Sequence, residues 1–215
     1  LLDQAGTGTV IYNEPGVLRT FNEKVAILHF PEHIRPAIVG SEPHTLLSFI
    51  AELPGGDAIV KPLDLFGGRG IERLQLAQLG KDEALKQLER LTDNGTQTKI
   101  VQAFDPKVFD GEIRAFTTCG KAIGWCLKRP QGDNFLANTR IGATLEPYDP
   151  PAEIVDRVES VASKLLQFGI KVVGFDLIGG YVSEVNITSP RMLIAGDDDE
   201  EHYAEFARLI AEDLA

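Results

Sequence analysis

The stretch VVGFDLIGGYVSEVNITSP, residues 172–190, limits the possible folds of this chain more than any other. Runs rich in β-branched and aromatic residues flank a Gly-Gly pair, which reads as two strands joined by a tight turn. On the first strand Val173, Phe175 and Leu177 share one face and leave Asp176 on the other. On the second, Val185 and Ile187 share a face and leave Glu184 and Asn186 opposite. Burying both apolar sets against one core puts Asp176, Glu184 and Asn186 together on the remaining face. A plain two-residue turn at Gly179-Gly180 would pair Asp176 with Ser183 and break this match. A three-residue or bulged turn pairs Asp176 with Glu184 and keeps it. Three oxygen-bearing side chains on one sheet face suit a hard divalent cation such as Mg²⁺. The alternative is an exposed acidic face, on which two acids repel across the strands and the apolar flanks go unexplained.

A chain of 215 residues can bury the core of one large domain or two small ones. Its formal net charge of −11 argues against a bulk nucleic-acid or anionic-membrane binder, yet leaves room for a local basic site. No apolar run approaches the ~20 residues needed to span a bilayer. The spacing CGKAIGWC, from Cys119 to Cys126, fits neither a zinc pair nor a redox pair. Two buried free thiols and a cytoplasmic location are therefore expected. The chain starts without an initiator Met or a signal peptide, so a preceding segment is expected.

The order of elements reads as α+β rather than as regular βαβ alternation. A short strand is expected at TVIYN (9–13), then helical periodicity over VLRTFNEKVAILHF (17–30). RPAIVG reads as a strand and SEPHTLLSFIAEL as a helix capped by Ser41. DAIVKPLD and IERLQL read as strands joined by the Gly-rich LFGGRGI, followed by the helix KDEALKQLERLTDNG. TKIVQAF is a strand, and EIRAFTTCGKAIGWCLKRP is a hairpin turning at Cys119-Gly120-Lys121. The polar stretch 129–151 reads as a long functional loop. A helix over PAEIVDRVESVASKLLQFG precedes the opening hairpin, and one over DEEHYAEFARLIAEDLA closes the chain. A division near 101–106 gives two lobes with a ligand cleft between them.

Several basic groups complement the acids. Lys61 ends an apolar strand, and the following Gly67-Gly68-Arg69-Gly70 lets backbone N–H groups approach a phosphate closely, although neither standard nucleotide spacing is present. A Gly-rich turn with an incidental lysine is the plainer alternative. Lys24 reads alone as a solvated helix residue. Arg114, among the strand residues Ile113 and Phe116, requires an anion, either an acid or a phosphate. Together, cations and N–H donors for phosphate and carboxylates for a metal are what ATP with Mg²⁺ requires.

NEK (22–24), IVKPLD, GGRGI, FDGEIR, KRPQGDNFLAN and VGFDLIGGYVSEVNITSP resemble, in family order, the prokaryotic glutathione synthetases, members of the ATP-grasp ligases. The resemblance implies two α/β lobes with mainly antiparallel sheets enclosing a nucleotide. Residues 1–20 would be the tail of a largely missing N-terminal substrate domain, with lobes at 21–104 and 105–215. It implies an ADP-forming ligase that joins a carboxylate to an amine through an acyl phosphate, with ATP and Mg²⁺ or Mn²⁺. It also implies a homo-oligomer acting on small molecules, γ-glutamylcysteine and glycine. By motif position Lys24 and Lys61 would hold ATP phosphates, with Gly67, Gly68, Arg69 and Gly70 closing over them. Gln102, Ala103 and Phe104 would line the adenine. Asp176, Glu184 and Asn186 look like metal ligands, while Arg114 and Asn138 look like groups stabilising the transferred phosphoryl and acyl phosphate. Two departures stand out. The family arginine after PQG falls on Leu136, with Arg140 nearby, and the segment after TSP reads RMLIAGDDDEE, with Arg191 displaced. A ligase of other specificity, or a nucleotide-binding domain without activity, are the alternatives.

Overall fold

The computed structural model describes residues 8–132, 134–139, 142–192 and 199–215. The chain forms two units, one from Leu1–His33 with Lys107–Ala215 and the other from Ile34–Pro106. Residues 21–33, grouped by sequence with the first lobe, belong instead with the second half of the chain.

The unit Ile34–Pro106 is a four-stranded antiparallel sheet. Its strands are β1 (Ala37–Gly40), β2 (Asp57–Pro62), β3 (Glu72–Gln75) and β4 (Lys99–Ala103), in the order β1-β4-β2-β3. Helices α2 (Pro43–Glu52) and α4 (Lys81–Leu91), the latter following the single turn α3 (Leu76–Leu79), supply Leu46, Ile50, Ala84 and Leu88 to a core with Ala58, Val60, Leu74 and Val101. Strand alternation puts Ile59, Lys61, Ile100 and Gln102 on the opposite face. Glu42, not Ser41, caps α2, because Pro43 at the first helical position holds Glu42 extended. Its carboxylate accepts from the N–H groups of His44 and Thr45 at 3.1 and 2.6 Å.

The other unit is a five-stranded antiparallel sheet of order β7-β6-β5-β8-β9. Its strands are β5 (Glu112–Thr118), β6 (Lys121–Arg129), β7 (Thr144–Pro147), β8 (Val172–Ile178) and β9 (Tyr181–Asn186). One sheet face carries Ala115, Phe175, Leu177 and Val185, all fully buried. On the other face Phe116 packs with Phe206 and Leu209 of α6 (Asp199–Leu214). The helix α5 (Ala152–Gln167) also contacts β5 and β6.

Three sequence expectations fail here for local reasons. TVIYN forms no strand. Asn13 is instead a buried strap, donating to the carbonyls of Val172 and Ile187 at 2.8 and 2.9 Å and accepting from the N–H groups of Lys171 and Val172. The helical pattern at 17–30 breaks after α1 (Pro15–Thr20). The Asn22 side chain accepts from the N–H groups of Lys24 and Val25, a local bond that competes with the helix ladder. Within the expected loop at 129–151, β7 adds an edge strand, tied to β6 by the two-pronged Arg129–Glu146 pair at 2.7 and 2.8 Å. Both cysteines are free, Cys126 buried and Cys119 half-buried in the turn before β6.

Candidate active site

The register of β8 and β9 builds the site. Ile178 pairs with Tyr181 and Leu177 with Val182, so Gly179-Gly180 is a two-residue turn, with φ of 56° and 82°. Asp176 nevertheless pairs with Glu184, because Ser183 is an extra residue one pair beyond the turn. The core explains the bulge. Val182 and Val185 are three apart, yet both are buried on the side of Leu177 and Phe175, and only an inserted residue allows that. Asp176, Glu184 and Asn186 therefore share a face, as the apolar pattern requires.

The neighbouring strands bring cations to this face. β5 sets Arg114 directly opposite Asp176, and β6 sets Lys128 opposite Glu112. Arg114 Nη1 donates to both Asp176 oxygens at 3.0 and 2.9 Å, Lys128 Nζ to Oδ1 at 2.6 Å, and Asn186 Nδ2 to Oδ2 at 2.9 Å. Lys128 also pairs with Glu112. Sequence reasoning missed Lys128. A regular hairpin closed at Thr118–Lys121 would put Leu127 opposite Glu112, and an irregularity at Phe116/Thr117 shifts the ladder by one.

Lys24 arrives from a distant segment. Glu23 Oε1 accepts from the N–H groups of Ile187 and Thr188, both at 2.8 Å, so Asn22-Glu23-Lys24 is clipped to the end of β9. Lys24 Nζ consequently lies 3.6 Å from Glu184 Oε1. It is a buried lysine rather than a solvated helix residue.

Electrostatics follow from this packing. Burial alone would push the Asp176 carboxyl up, but the charges of Arg114 and Lys128 outweigh it and hold the group well below the usual carboxylate range. Burial would likewise pull Lys128 down, and Asp176 and Glu112 outweigh it and raise it. Cys126, opposite Arg114, is pushed up to about 11 by its burial, so it stays a neutral thiol and a poor nucleophile.

Among the described residues no three His, Cys, Asp or Glu side chains gather as a metal site. The set here is two carboxylates and an amide, which fits a divalent ion taking its other ligands from phosphate and water. An orphaned donor also fits phosphate. Arg114 Nε is buried and has no hydrogen-bond partner among the described residues. Lys24, Arg114 and Lys128 balance Glu184, Asp176 and Glu112. A bare cation thus meets a neutral surface, whereas a cation carrying polyphosphate meets both of its complements.

In the other unit Lys61 and Gln102 are buried on one sheet face, and Ala103 and Phe104 follow at the strand end. The Arg73 guanidinium stacks 3.5 Å from the Phe104 ring centroid and grips Asp57 at 2.9 and 2.5 Å. Gly67, Gly68 and Gly70 have φ of 71°, 79° and 69°, left-handed values that favour glycine. Exposed Arg69 covers exposed Phe66. Asn138 is half-buried, its carbonyl accepting from the Ala143 N–H at 3.2 Å. Leu136 is half-buried and Arg191 exposed, while Arg140 and residues 193–198 lie outside the described residues.

Residues 23–197 match the family model of the prokaryotic glutathione synthetase ATP-grasp domain. The chain belongs to this family. The glutathione synthetase of Xanthomonas campestris pv. campestris is 37% identical over 186 residues, 85% of this chain and 57% of that protein. That of Bordetella parapertussis is 34% identical over 188 residues, 87% of this chain and 58% of its own length. This ATP-grasp chain thus spans less than two thirds of these relatives. Solved structures bear out the fold. D-cycloserine synthetase DcsG superposes with a TM-score of 0.68 at 18% identity, over 92% of this chain and 72% of its own. The D-alanine–D-alanine ligase of Bacillus anthracis gives 0.57 at 17% identity, over 89% and 66%. In the ATP-grasp chain no described helix is long and apolar enough to cross a membrane.

Proposed function

We propose that the protein is an ATP-dependent carboxylate–amine ligase of the glutathione synthetase type, joining γ-glutamylcysteine to glycine with release of ADP. The observation that carries this reading is the buried Asp176, gripped by Arg114 and Lys128 beside Glu184 and Asn186, with Lys24 clipped alongside. Asp176, Glu184 and Asn186 would hold Mg²⁺, or Mn²⁺ in its place, which when bound draws charge from the phosphate oxygens. Arg114, through its unpaired Nε, would take the transferred phosphoryl oxygens, with Lys128 supplying a second positive charge on the same face. Asn138 is assigned to the acyl phosphate by motif position. Lys24 and Lys61 would neutralise the remaining phosphates, the N–H groups of Gly67–Gly70 would cover them, and Gln102, Ala103 and Phe104 would border the adenine. The substrate carboxylate takes the γ-phosphoryl group and ADP leaves. The amine then attacks the acyl carbon and expels phosphate. No side chain acts as a covalent nucleophile, so positioning and charge neutralisation supply the rate. A cytoplasmic homo-oligomer, with a substrate domain ahead of the ATP-grasp lobes, completes the reading.

A second reading, a peptide or amino-acid ligase of other specificity, is favoured by half-buried Leu136, which puts an apolar side chain where the family carries a cation. ADP release by the full-length protein decides between them. γ-Glutamylcysteine with glycine should turn over best among a panel of dipeptides and amines, and turnover with another pair alone would leave only the second reading. ATP binding with no ADP from any pair would indicate a nucleotide-binding domain without activity. Glu184→Gln should lower Mg²⁺-dependent turnover by about 100-fold or more while the fold persists. Unchanged turnover would remove Glu184 from the metal site.

A further inference from the structure

Gly174 and Asp176 are two apart on β8 and face the same way, with Gly174 opposite Asn186 and Asp176 opposite Arg114. A Cβ at Gly174 would stand 2.8 Å from Arg114 Nη2, 2.9 Å from Cζ and 3.3 Å from Nε. The guanidinium therefore lies on the strand where any other residue would put its side chain. The backbone does not require glycine here, because Gly174 lies outside the left-handed region. Glycine inside a strand weakens it by roughly 0.5–1 kcal/mol, so this one needs a reason. Arg114 has little freedom to give way, being 6% exposed and held through Nη1 to both Asp176 oxygens.

We propose that Gly174 is a positioning residue, its missing side chain forming a slot that seats the Arg114 guanidinium flat against β8 beside Asp176. The proposal rests on the reading of Arg114 as the phosphoryl-binding group. An alanine at 174 fits an extended strand but pushes the guanidinium off its seat, and misplacement by about 1 Å can cost about 100-fold in rate.

The test is a double-mutant cycle in the full-length protein, read by kcat, by calorimetric affinity for a non-hydrolysable ATP analogue with Mg²⁺, and by urea unfolding. Gly174→Ala should lower kcat about 100-fold and weaken analogue binding severalfold. In an Arg114→Ala background the same change should alter each by no more than about twofold. Wild-type behaviour of Gly174→Ala, or equal losses in both backgrounds, would overturn the proposal. If Gly174→Ala alone fails to fold, refolding of the Arg114→Ala/Gly174→Ala pair supports the slot, and failure of the pair to fold refutes it. Full kcat in Arg114→Ala alone would instead refute the phosphoryl-binding role, leaving the slot to be judged by the unfolding cycle.

Discussion

At the scale of single residues, Asp176 is tightly constrained. Three donors converge on its carboxylate in a buried position, and two of them are cations. Removing its charge takes from Arg114 the carboxylate that it grips, and from Lys128 one of its two carboxylate partners among the described residues. Asp176→Asn should therefore destabilise the protein by about 3–5 kcal/mol at pH 7, measured by urea unfolding. The pH dependence has a definite sign. The folded-state pKa of Asp176 lies below its ordinary value of 3.8, so its contribution is fully present above that value and is lost as pH falls toward the depressed one. The stability gap between wild type and Asp176→Asn should be flat from neutral pH down to about 5 and narrow only below about 4. A gap that changes between pH 6 and 8 would point to a different group. From sequence, Arg114 required an anion but not a particular one. The strand register supplies Asp176, and Nε stays unpaired for a second anion.

At the scale of elements, the hairpin shows how a core sets a functional geometry. The apolar alternation predicted Asp176 opposite Glu184, and the structure achieves it with a two-residue turn followed by a bulge at Ser183. The end of β9 is completed by Glu23, whose carboxylate receives two backbone N–H groups just beyond Asn186. Glu23→Ala should speed amide hydrogen exchange at Ile187 and Thr188 by about 10- to 100-fold, as expected for losing hydrogen bonds to a charged acceptor. Glu23→Gln, which keeps a carbonyl oxygen, should have a much smaller effect. Exchange unchanged by Glu23→Ala would show that the clip does not hold the strand end. The failed strand at 9–13 and the broken helix at 17–30 have a common cause. Asn13 and Asn22 each direct side-chain hydrogen bonds to the backbone, and such bonds are invisible to a reading based on apolar periodicity.

At the scale of the whole molecule, one unit is assembled from two stretches of chain separated by more than seventy residues. The early stretch contributes Ala26, Ile27 and Phe30 to the interior, each at most 2% exposed, along with the Asn13 strap and the Glu23 clip. Burying side chains such as Ile27 and Phe30 is worth about 1.5–3 kcal/mol each. A chain beginning at Ile34 should therefore lose the cooperative unfolding of the five-stranded unit, even though all five strands remain. Urea unfolding followed by the fluorescence of Trp125, the single tryptophan and a β6 residue, would report this. A sharp transition at an unchanged midpoint would show that the early stretch is dispensable.

The sequence by itself determined the antiparallel hairpin, the shared face of Asp176, Glu184 and Asn186, the clearest helices, and the order of the family motifs. These depend on alternation, on turn residues and on local spacing, all of which survive in one dimension. Tertiary structure decided which cations meet that face. Lys128 depends on an irregularity in the β5–β6 ladder, Lys24 on a clip between residues 164 positions apart, and the Arg114 seat on the absence of a Cβ at Gly174. The first is a one-residue shift inside a hairpin, the second a pair of hydrogen bonds between distant segments, and the third the space of one methyl group between two strands. Local pattern carries no record of such long-range register, so these parts of the site appear only once the strands are packed side by side.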